Sequence, residues 1–288
     1  MIPVLLTKTK TRDGVTLDGI YVPPKRKSRT ALVWLHGLGS RFYSGQPLIQ
    51  EQSAACQRNG IGYFKFNTRG HDIINRDGAG KNKLQGMAFE KFTACVQDIR
   101  ASIREAKRIG FRNIILAGQS TGSNKALYYV YKTRDPSVKR LMLTGALSDM
   151  AVWKTEEIGT RRIMRRALLV AKNAQKKDAL LPEKYGIYSA ERYISLYEAG
   201  HAEDVFPYHN PRASWKELKS IRIPVAVIIG SLDEYLDRPA KKLIKIFEKN
   251  AISAKSFSGI IIKGANHSFR GKEKELAHNI IKWIKTTQ

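Results

Sequence analysis

The chain has 288 residues, 42% of them hydrophobic, enough for one large globular domain or two small ones, and it contains no apolar run approaching a membrane span. Lys and Arg number 51 against 25 Asp and Glu, a formal net charge of +26. The two cysteines, Cys56 and Cys95, make neither a disulfide framework nor a metal-ligand spacing, and both fall in helix-like segments that predict buried, reduced thiols.

The functional readings of the charge are an anionic substrate, a nucleic acid or an acidic membrane surface. The basic residues are spread along the chain, densest at Lys25-Arg26-Lys27, Arg161-Arg162, Arg165-Arg166 and Lys241-Lys242. No zinc finger, RNA-recognition signature or heptad array accompanies them. An evenly solvated basic surface is therefore the preferred reading, and no specific nucleic-acid partner is expected. The apolar start Met1–Leu6 is too short for a signal-peptide core, and Lys8 and Lys10 follow it rather than precede it, so a cytoplasmic protein is expected.

Ile2–Thr9 and Val15–Val22 read as extended runs joined through Asp13-Gly14, a hairpin signal. Ala31–Leu35 is apolar throughout, as in a strand buried on both faces, and it ends in His36-Gly37-Leu38-Gly39. Gln46–Asn59 reads as a helix stopped by Gly60, and Gly62–Phe66 as the next strand, followed by Asn67-Thr68-Arg69-Gly70-His71-Asp72. In the polar loop 73–86, Gly78-Ala79-Gly80-Lys81-Asn82 hints at a phosphate loop. It lacks the first glycine and the Ser/Thr after lysine, so that reading is rejected. Phe89–Ile109 predicts a long amphipathic helix closed by Gly110.

Asn113–Ala117 reads as a buried parallel strand, Gly118-Gln119-Ser120-Thr121-Gly122 as a turn, and Ser123–Val130 as a helix. G-x-S-x-G at a strand-to-helix turn is the context in which this short pattern marks a nucleophile. Small flanking residues let strand and helix approach, and the helix start favours negative charge. The plain alternative is a glycine-flanked loop serine. After a short strand at Arg140–Thr144 the alternation stops, and no convincing strand occurs from about Met150 to Trp215. Helical spacing at Arg161–Lys177 and Ala190–Ala199, with Trp153, Tyr185, Tyr188, Tyr193, Tyr197, Phe206 and Tyr208, suggests a cap inserted over the sheet. Its aromatics mostly pack it onto the body. The expected division is therefore a core of 1–149 and 216–288 with a cap of 150–215.

Strands at Pro224–Ile229 and Ser256–Ile262 and helices near Pro239–Asn250 and Lys272–Lys285 complete an alternating pattern. That pattern implies right-handed crossovers and a mostly parallel sheet covered on both faces. Ser120, Asp233 and His267 then fall just beyond C-terminal strand ends, the edge where such sheets bind ligands. A serine hydroxyl needs a base to become a nucleophile, a histidine can supply it, and a carboxylate can hold the imidazole tautomer. Each residue alone could be a loop histidine, a strand-end turn or a cap, and Asp237 is a rival acid. The three together in this order favour catalysis. The amides of Leu38 and Thr121 are the candidates for holding an oxyanion, with His36 bracing its loop.

Taken with His36-Gly37, Gly70-His71, Gly118 and Gly122, the set resembles the α/β-hydrolase superfamily over nearly the whole chain. The resemblance implies an eight-stranded, mostly parallel sheet with an inserted helical cap. It also implies a serine hydrolase working through an acyl-enzyme, with no metal or organic cofactor. Serine at position 120 disfavours the members with an aspartate nucleophile. Asn67–Asp72 departs from the commoner Asp-x-x-Gly-His-Gly and looks more like a subgroup that includes siderophore (hydroxamate ester) esterases, with Arg69 and His71 bracing rather than reacting. The expected activity is that of a carboxylesterase on a small-molecule ester, with acidic or aromatic substrates suited to the charge and the cap. Thioesterase, amidase or peptidase, and carbon–carbon bond hydrolase remain alternatives on the same residues, and a non-catalytic ligand- or nucleic-acid-binding protein is a further one.

Overall fold

The structure is a computed structural model, and it describes residues 2–76 and 83–287. The glycine-rich stretch 78–82 lies outside the described residues.

Strands β1 (Leu5–Lys10) and β2 (Thr16–Val22) form the antiparallel hairpin across the Asp13-Gly14 turn, where Gly14 takes φ 93°. There follow β3 (Thr30–Leu35), helix α1 (Gln46–Arg58), β4 (Gly62–Phe66), the short paired strands β5 (Asn75–Arg76) and β6 (Leu84–Gln85), α2 (Cys95–Ile109), β7 (Asn113–Gln119), α3 (Thr121–Thr133) and β8 (Val138–Thr144). Four helices then precede the next strand: α4 (Asp149–Thr155), α5 (Ile158–Asn173), α6 (Ala190–Tyr197) and α7 (Lys216–Lys219). The chain closes with β9 (Val225–Gly230), α8 (Ala240–Asn250), β10 (Phe257–Ile262) and α9 (Glu273–Thr286).

Eight strands make one sheet in the order β1-β2-β4-β3-β7-β8-β9-β10. It is parallel from β4 to β10, and β1 and β2 are antiparallel at one edge. The period-two alternation of side chains divides the core into two layers. Ala31, Val33, Leu35, Ile114 and Leu116 face one way, with Ile99 of α2, Leu127 of α3 and Phe247 of α8. Leu32, Trp34, Ile115 and Ala117 face the other, with Leu48 of α1 and Ile280 of α9. From β3 the chain crosses to β4 through α1 on one face. From β7 it crosses to β8 through α3 on the other. The chain therefore leaves the paired neighbours β3 and β7 toward opposite faces, the arrangement that opens a crevice beyond their C-terminal ends.

The expected elements shift in a few places. The helix expected from Phe89 begins at Cys95, after a single 3-10 turn at Phe92–Ala94, because Glu90 and Phe92 are both drawn into the interior. The loop 73–86 carries the β5–β6 pair, too short for any periodic signal. Between β8 and β9 lies an additional helix, α4, whose Ser148 hydroxyl caps it by accepting from the Ala151 amide at 3.3 Å. Helix α5 starts three residues earlier and stops four earlier than its spacing suggests, and its fully buried residues are Ala167 and Ala171. Those alanines join Leu181, Tyr185, Ala190 and Tyr193 in a separate small core. Both cysteines are buried and free.

Candidate active site

At the end of β7 the backbone turns so sharply that Ser120 sits at φ 54° and ψ −129°, a region that side chains rarely occupy. Two surroundings hold it there. The Ser120 amide donates to the Thr144 carbonyl at 2.9 Å. The Ser123 hydroxyl donates to the Gly118 carbonyl at 2.8 Å and accepts from the Thr144 amide at 3.0 Å. A Cβ at Gly122 would lie 2.5 Å from the Leu35 carbonyl oxygen, and one at Gly118 would collide with the Gly122 carbonyl. The glycines are thus required by close backbone approach. Gly122→Ala is expected to destabilise the fold by about 1–3 kcal/mol, the range for overpacking a filled site. Urea unfolding would measure it, and an unchanged midpoint would contradict the packing argument.

His267 follows β10 and Asp233 follows β9. The His267 Nδ1 lies 2.8 Å from Asp233 Oδ2, with Asp233 6% exposed and His267 7% exposed. The other carboxylate oxygen, Oδ1, accepts from the Tyr235 amide at 3.0 Å. Sequence reasoning did not anticipate three further supports of the imidazole. The Glu234 carboxylate accepts from the His267 amide at 2.9 Å, and that contact and others outweigh burial to hold the Glu234 pKa below its usual value. The Tyr235 ring meets the imidazole edge-on, with centroids 4.8 Å apart. The Gln119 amide side chain donates to the His267 carbonyl at 3.4 Å, linking the serine turn to the histidine loop. The rival acid, Asp237, is engaged elsewhere: it accepts from Arg238 Nε at 2.8 Å.

The loop after β3 is tied to the loop after β4 through His36. Its Nε2 accepts from the Thr68 amide at 2.9 Å and its Nδ1 donates to the Gly37 carbonyl at 2.8 Å. Burial, reinforced by the nearby Lys125 charge, pushes the His36 pKa well below the usual imidazole range. His36 is therefore neutral, as this bonding pattern demands. Neither the Leu38 nor the Thr121 amide has a hydrogen-bond acceptor among the described residues. His71 Nδ1 meets the Thr68 carbonyl at 2.9 Å and Gly39 is bridged to His71, which holds the loop without placing His71 in the cavity. Arg69 pairs with Asp98 of α2 and Asp13 of the hairpin, both at 2.8 Å.

A cavity of about 840 Å³ opens over this edge, and His36, Gly37, Leu38, Ser120, Thr121 and His267 all line it. Asp149, Val152, Glu156 and Tyr197 line it from the segment between β8 and β9. Of that segment's aromatics, Tyr197 is the one in the cavity lining. Phe206 and Tyr208 pack on Phe247, while Tyr188 and Tyr193 pack on one another. Two cavity residues carry no signal strong enough to mark them as site residues. Asp149 has its pKa raised to about 7 by burial and by Glu203, and Lys65 has its own lowered to about 7 by burial. Among the described residues no group of three or more His, Cys, Asp or Glu side chains is gathered as metal ligands.

Chemically, the arrangement offers a hydroxyl on a strained turn at a helix start, an imidazole oriented by a carboxylate, and two backbone donors with no acceptor among the described residues, all on one cavity. A family model described as "Protein of unknown function (DUF1749)" matches residues 3–286. Proline iminopeptidase from Clostridioides difficile is 26% identical over 164 residues, 53% of each chain, so the chain spans about half the length of the curated relative it matches. Est1E from Butyrivibrio proteoclasticus superposes with a TM-score of 0.61 at 14% identity, covering 98% of both chains. A soluble variant of monoglyceride lipase from Saccharomyces cerevisiae gives 0.66 at 13%, covering 100% of this chain and 97% of the other. The carboxylesterase CesB from Bacillus subtilis gives 0.57 at 16%, covering 99% and 92%. The architecture is the α/β-hydrolase fold.

Proposed function

The chain belongs to the family described as "Protein of unknown function (DUF1749)", and since that description assigns no chemistry we propose from the site itself that the protein is a serine hydrolase cleaving carboxylic esters. The observation that carries this reading is Ser120 on its strained turn, sharing one cavity with a His267 already bonded to Asp233.

In this reading the Ser120 hydroxyl attacks the ester carbonyl carbon while His267 accepts its proton. Asp233 fixes the imidazole tautomer and stabilises the cation that forms. The oxyanion is received by the Leu38 and Thr121 amides, a preorganised contribution that strengthens away from water. Collapse of the intermediate expels the alcohol, which takes the proton back from His267 and leaves the acyl group on Ser120. Water, deprotonated by His267, then attacks the acyl carbon; the bond to Ser120 breaks, Ser120 takes the proton back from His267, and the acid leaves. Residues 150–215 act as a cap that shapes the entrance, and the cavity lining by Val152, Glu156 and Tyr197 supports that division. The esterases and the lipase among the structural neighbours motivate an ester. The partial likeness to proline iminopeptidase favours amide hydrolysis as the second reading.

The test is a fluorophosphonate label followed by an ester and anilide screen. The label is expected on Ser120, with nitrophenyl esters turned over. Label on other residues only would overturn the reading, and turnover of prolyl anilides without esters would select the second. The choice of acid has its own test. Asp233→Asn is expected to lower kcat by about 10²- to 10⁴-fold by losing the tautomer, and Asp237→Asn to stay near wild type. The reverse ranking would reassign the carboxylate.

A further inference from the structure

Lys65 presents an ammonium to the cavity that no carboxylate among the described residues pairs with. Lys65 lies on β4, where Phe64 and Phe66 enter the layer of α2 and α3, and Tyr63 enters that of α1 and α9. By the alternation of the strand, Lys65 shares the face of Tyr63. It is 5% exposed, yet it lines the same cavity as Ser120 and His267. Its ammonium donates to the Ser44 carbonyl at 2.7 Å, and no carboxylate among the described residues comes within 4.0 Å of it.

Lysines are almost never fully buried unless paired, because taking an ammonium out of water is costly without a counter-ion. Burial alone brings the Lys65 pKa down to about 7, and no charged neighbour contributes. Asp149 and Glu156, between β8 and β9, and Glu273, at the start of α9, line the same cavity, but none comes within 4.0 Å of the Lys65 ammonium. A second feature has the same sign. Helix α1 begins after Gly45 with no side-chain cap and no acid in its first turn, and Ser44, Gly45, Pro47 and Leu48 line the cavity. Its positive end therefore opens beside Lys65.

We propose that Lys65 is the specificity-determining residue of this pocket and that the preferred substrate is an ester carrying a carboxylate that seats on Lys65 at the head of α1. The proposal rests on the hydrolase reading above and adds the substrate class. Bound there, the carboxylate supplies a counter-ion that the described residues do not. The net charge of +26 raises the local concentration of such anions before they dock. A purely structural Lys65, tethering the Ser44 loop, would affect every substrate alike.

Matched pairs separate the two roles. The acyl series compares mono-4-nitrophenyl succinate, glutarate and adipate with the butanoate, pentanoate and hexanoate. The alcohol series compares 4-carboxyphenyl with phenyl butanoate. In at least one series the wild type is expected to favour the charged member. Lys65→Met is expected to lower kcat/KM for that member by about 10- to 100-fold, mainly through KM, with a much smaller change for its neutral partner. Lys65→Arg, which keeps the charge, is expected to retain part of the preference. Three results would each overturn the proposal: no charge preference in either series, a preference that survives Lys65→Met, or equal losses on charged and neutral esters. If Lys65→Met fails to fold, Lys65→Gln takes its place under the same criteria. If the wild type cleaves no ester at all, the hydrolase reading fails by itself. Calorimetric binding of glutarate to Ser120→Ala, lost in Ser120→Ala/Lys65→Met, would then still uphold the anion site, and its absence would sink that site as well.

Discussion

Replacement of Ser120 by alanine is expected to lower ester turnover by on the order of 10⁴- to 10⁶-fold, the range seen when a hydrolytic nucleophile is deleted. The expectation is this large because the hydroxyl has no substitute at its position. Gln119 is directed to the His267 carbonyl, Thr121 opens helix α3, and Ser123 is consumed in bracing the turn. The change is also structurally mild. Alanine removes one oxygen from a residue whose backbone is held by the Thr144 carbonyl and whose neighbours Gly118 and Gly122 are untouched. Activity and stability should therefore separate: the melting temperature stays near wild type while turnover collapses. Residual turnover above the uncatalysed rate is expected, because the Leu38 and Thr121 amides and the cavity persist. Equal rates for wild type and variant on nitrophenyl esters would remove Ser120 from the chemistry.

Replacing Arg192 by methionine should cost about 3–5 kcal/mol of stability, because it breaks a buried charge network rather than a surface pair. Arg192 and Glu90 are both 0% exposed in their side chains, and Glu203 is 1% exposed. Arg192 grips Glu203, donating to its Oε1 at 3.0 Å, and reaches Glu90 at 3.8 Å. The Lys125 ammonium also pairs with Glu90. The Ser195 hydroxyl also donates to Glu203, and Arg192 Nε donates to the Met87 carbonyl at 3.1 Å. Burial would raise the Glu90 pKa, but Lys125 and Arg192 outweigh it and hold the group below the usual glutamate range. Gly70 belongs to the same design, since a Cβ there would strike the Glu90 carboxylate.

Arg192→Met leaves Glu203 buried without its partner. Adding Glu203→Gln to it should restore part of the loss, since that removes the stranded charge. The single change should lower the melting temperature by roughly 5–10 °C for a chain of this size. A loss under about 1 kcal/mol, as expected for an exposed pair, would contradict the network. The network also has a route to the site. Lys125 donates to the Thr68 hydroxyl at 3.1 Å, and the Thr68 amide holds His36 at the loop that carries Leu38. Arg192 and Glu203 thus connect the segment between β8 and β9 to the loop bearing a candidate oxyanion donor.

Local chemistry made much of the molecule legible beforehand. The strands Ala31–Leu35, Gly62–Phe66 and Asn113–Ala117 stand where their apolar runs placed them, because a strand buried on both faces leaves an unbroken hydrophobic signature within a few residues. The Ser120 turn announced itself through Gly118 and Gly122, whose small size answers contacts with backbone close by. Helix α2 begins later and α5 earlier than their spacing predicts, since helix ends depend on which side chains find partners. Lys65 did leave a trace, a single charge inside an otherwise apolar strand, but nothing local said which surface it faced.

Sequence by itself determined the alternation of strands and helices, the mostly parallel sheet and the order of Ser120, Asp233 and His267, because periodicity and turn chemistry act between residues near in the chain; the strand number came from the family resemblance. Only the tertiary structure decided that Asp233 rather than Asp237 meets His267, that Glu90, Lys125, Arg192 and Glu203 neutralise one another out of water, and that Lys65 enters the cavity with no counter-ion among the described residues. Desolvation and Coulomb attraction depend on separation in space. A charged residue therefore reads the same in a linear string whether it ends in solvent or beside an opposite charge.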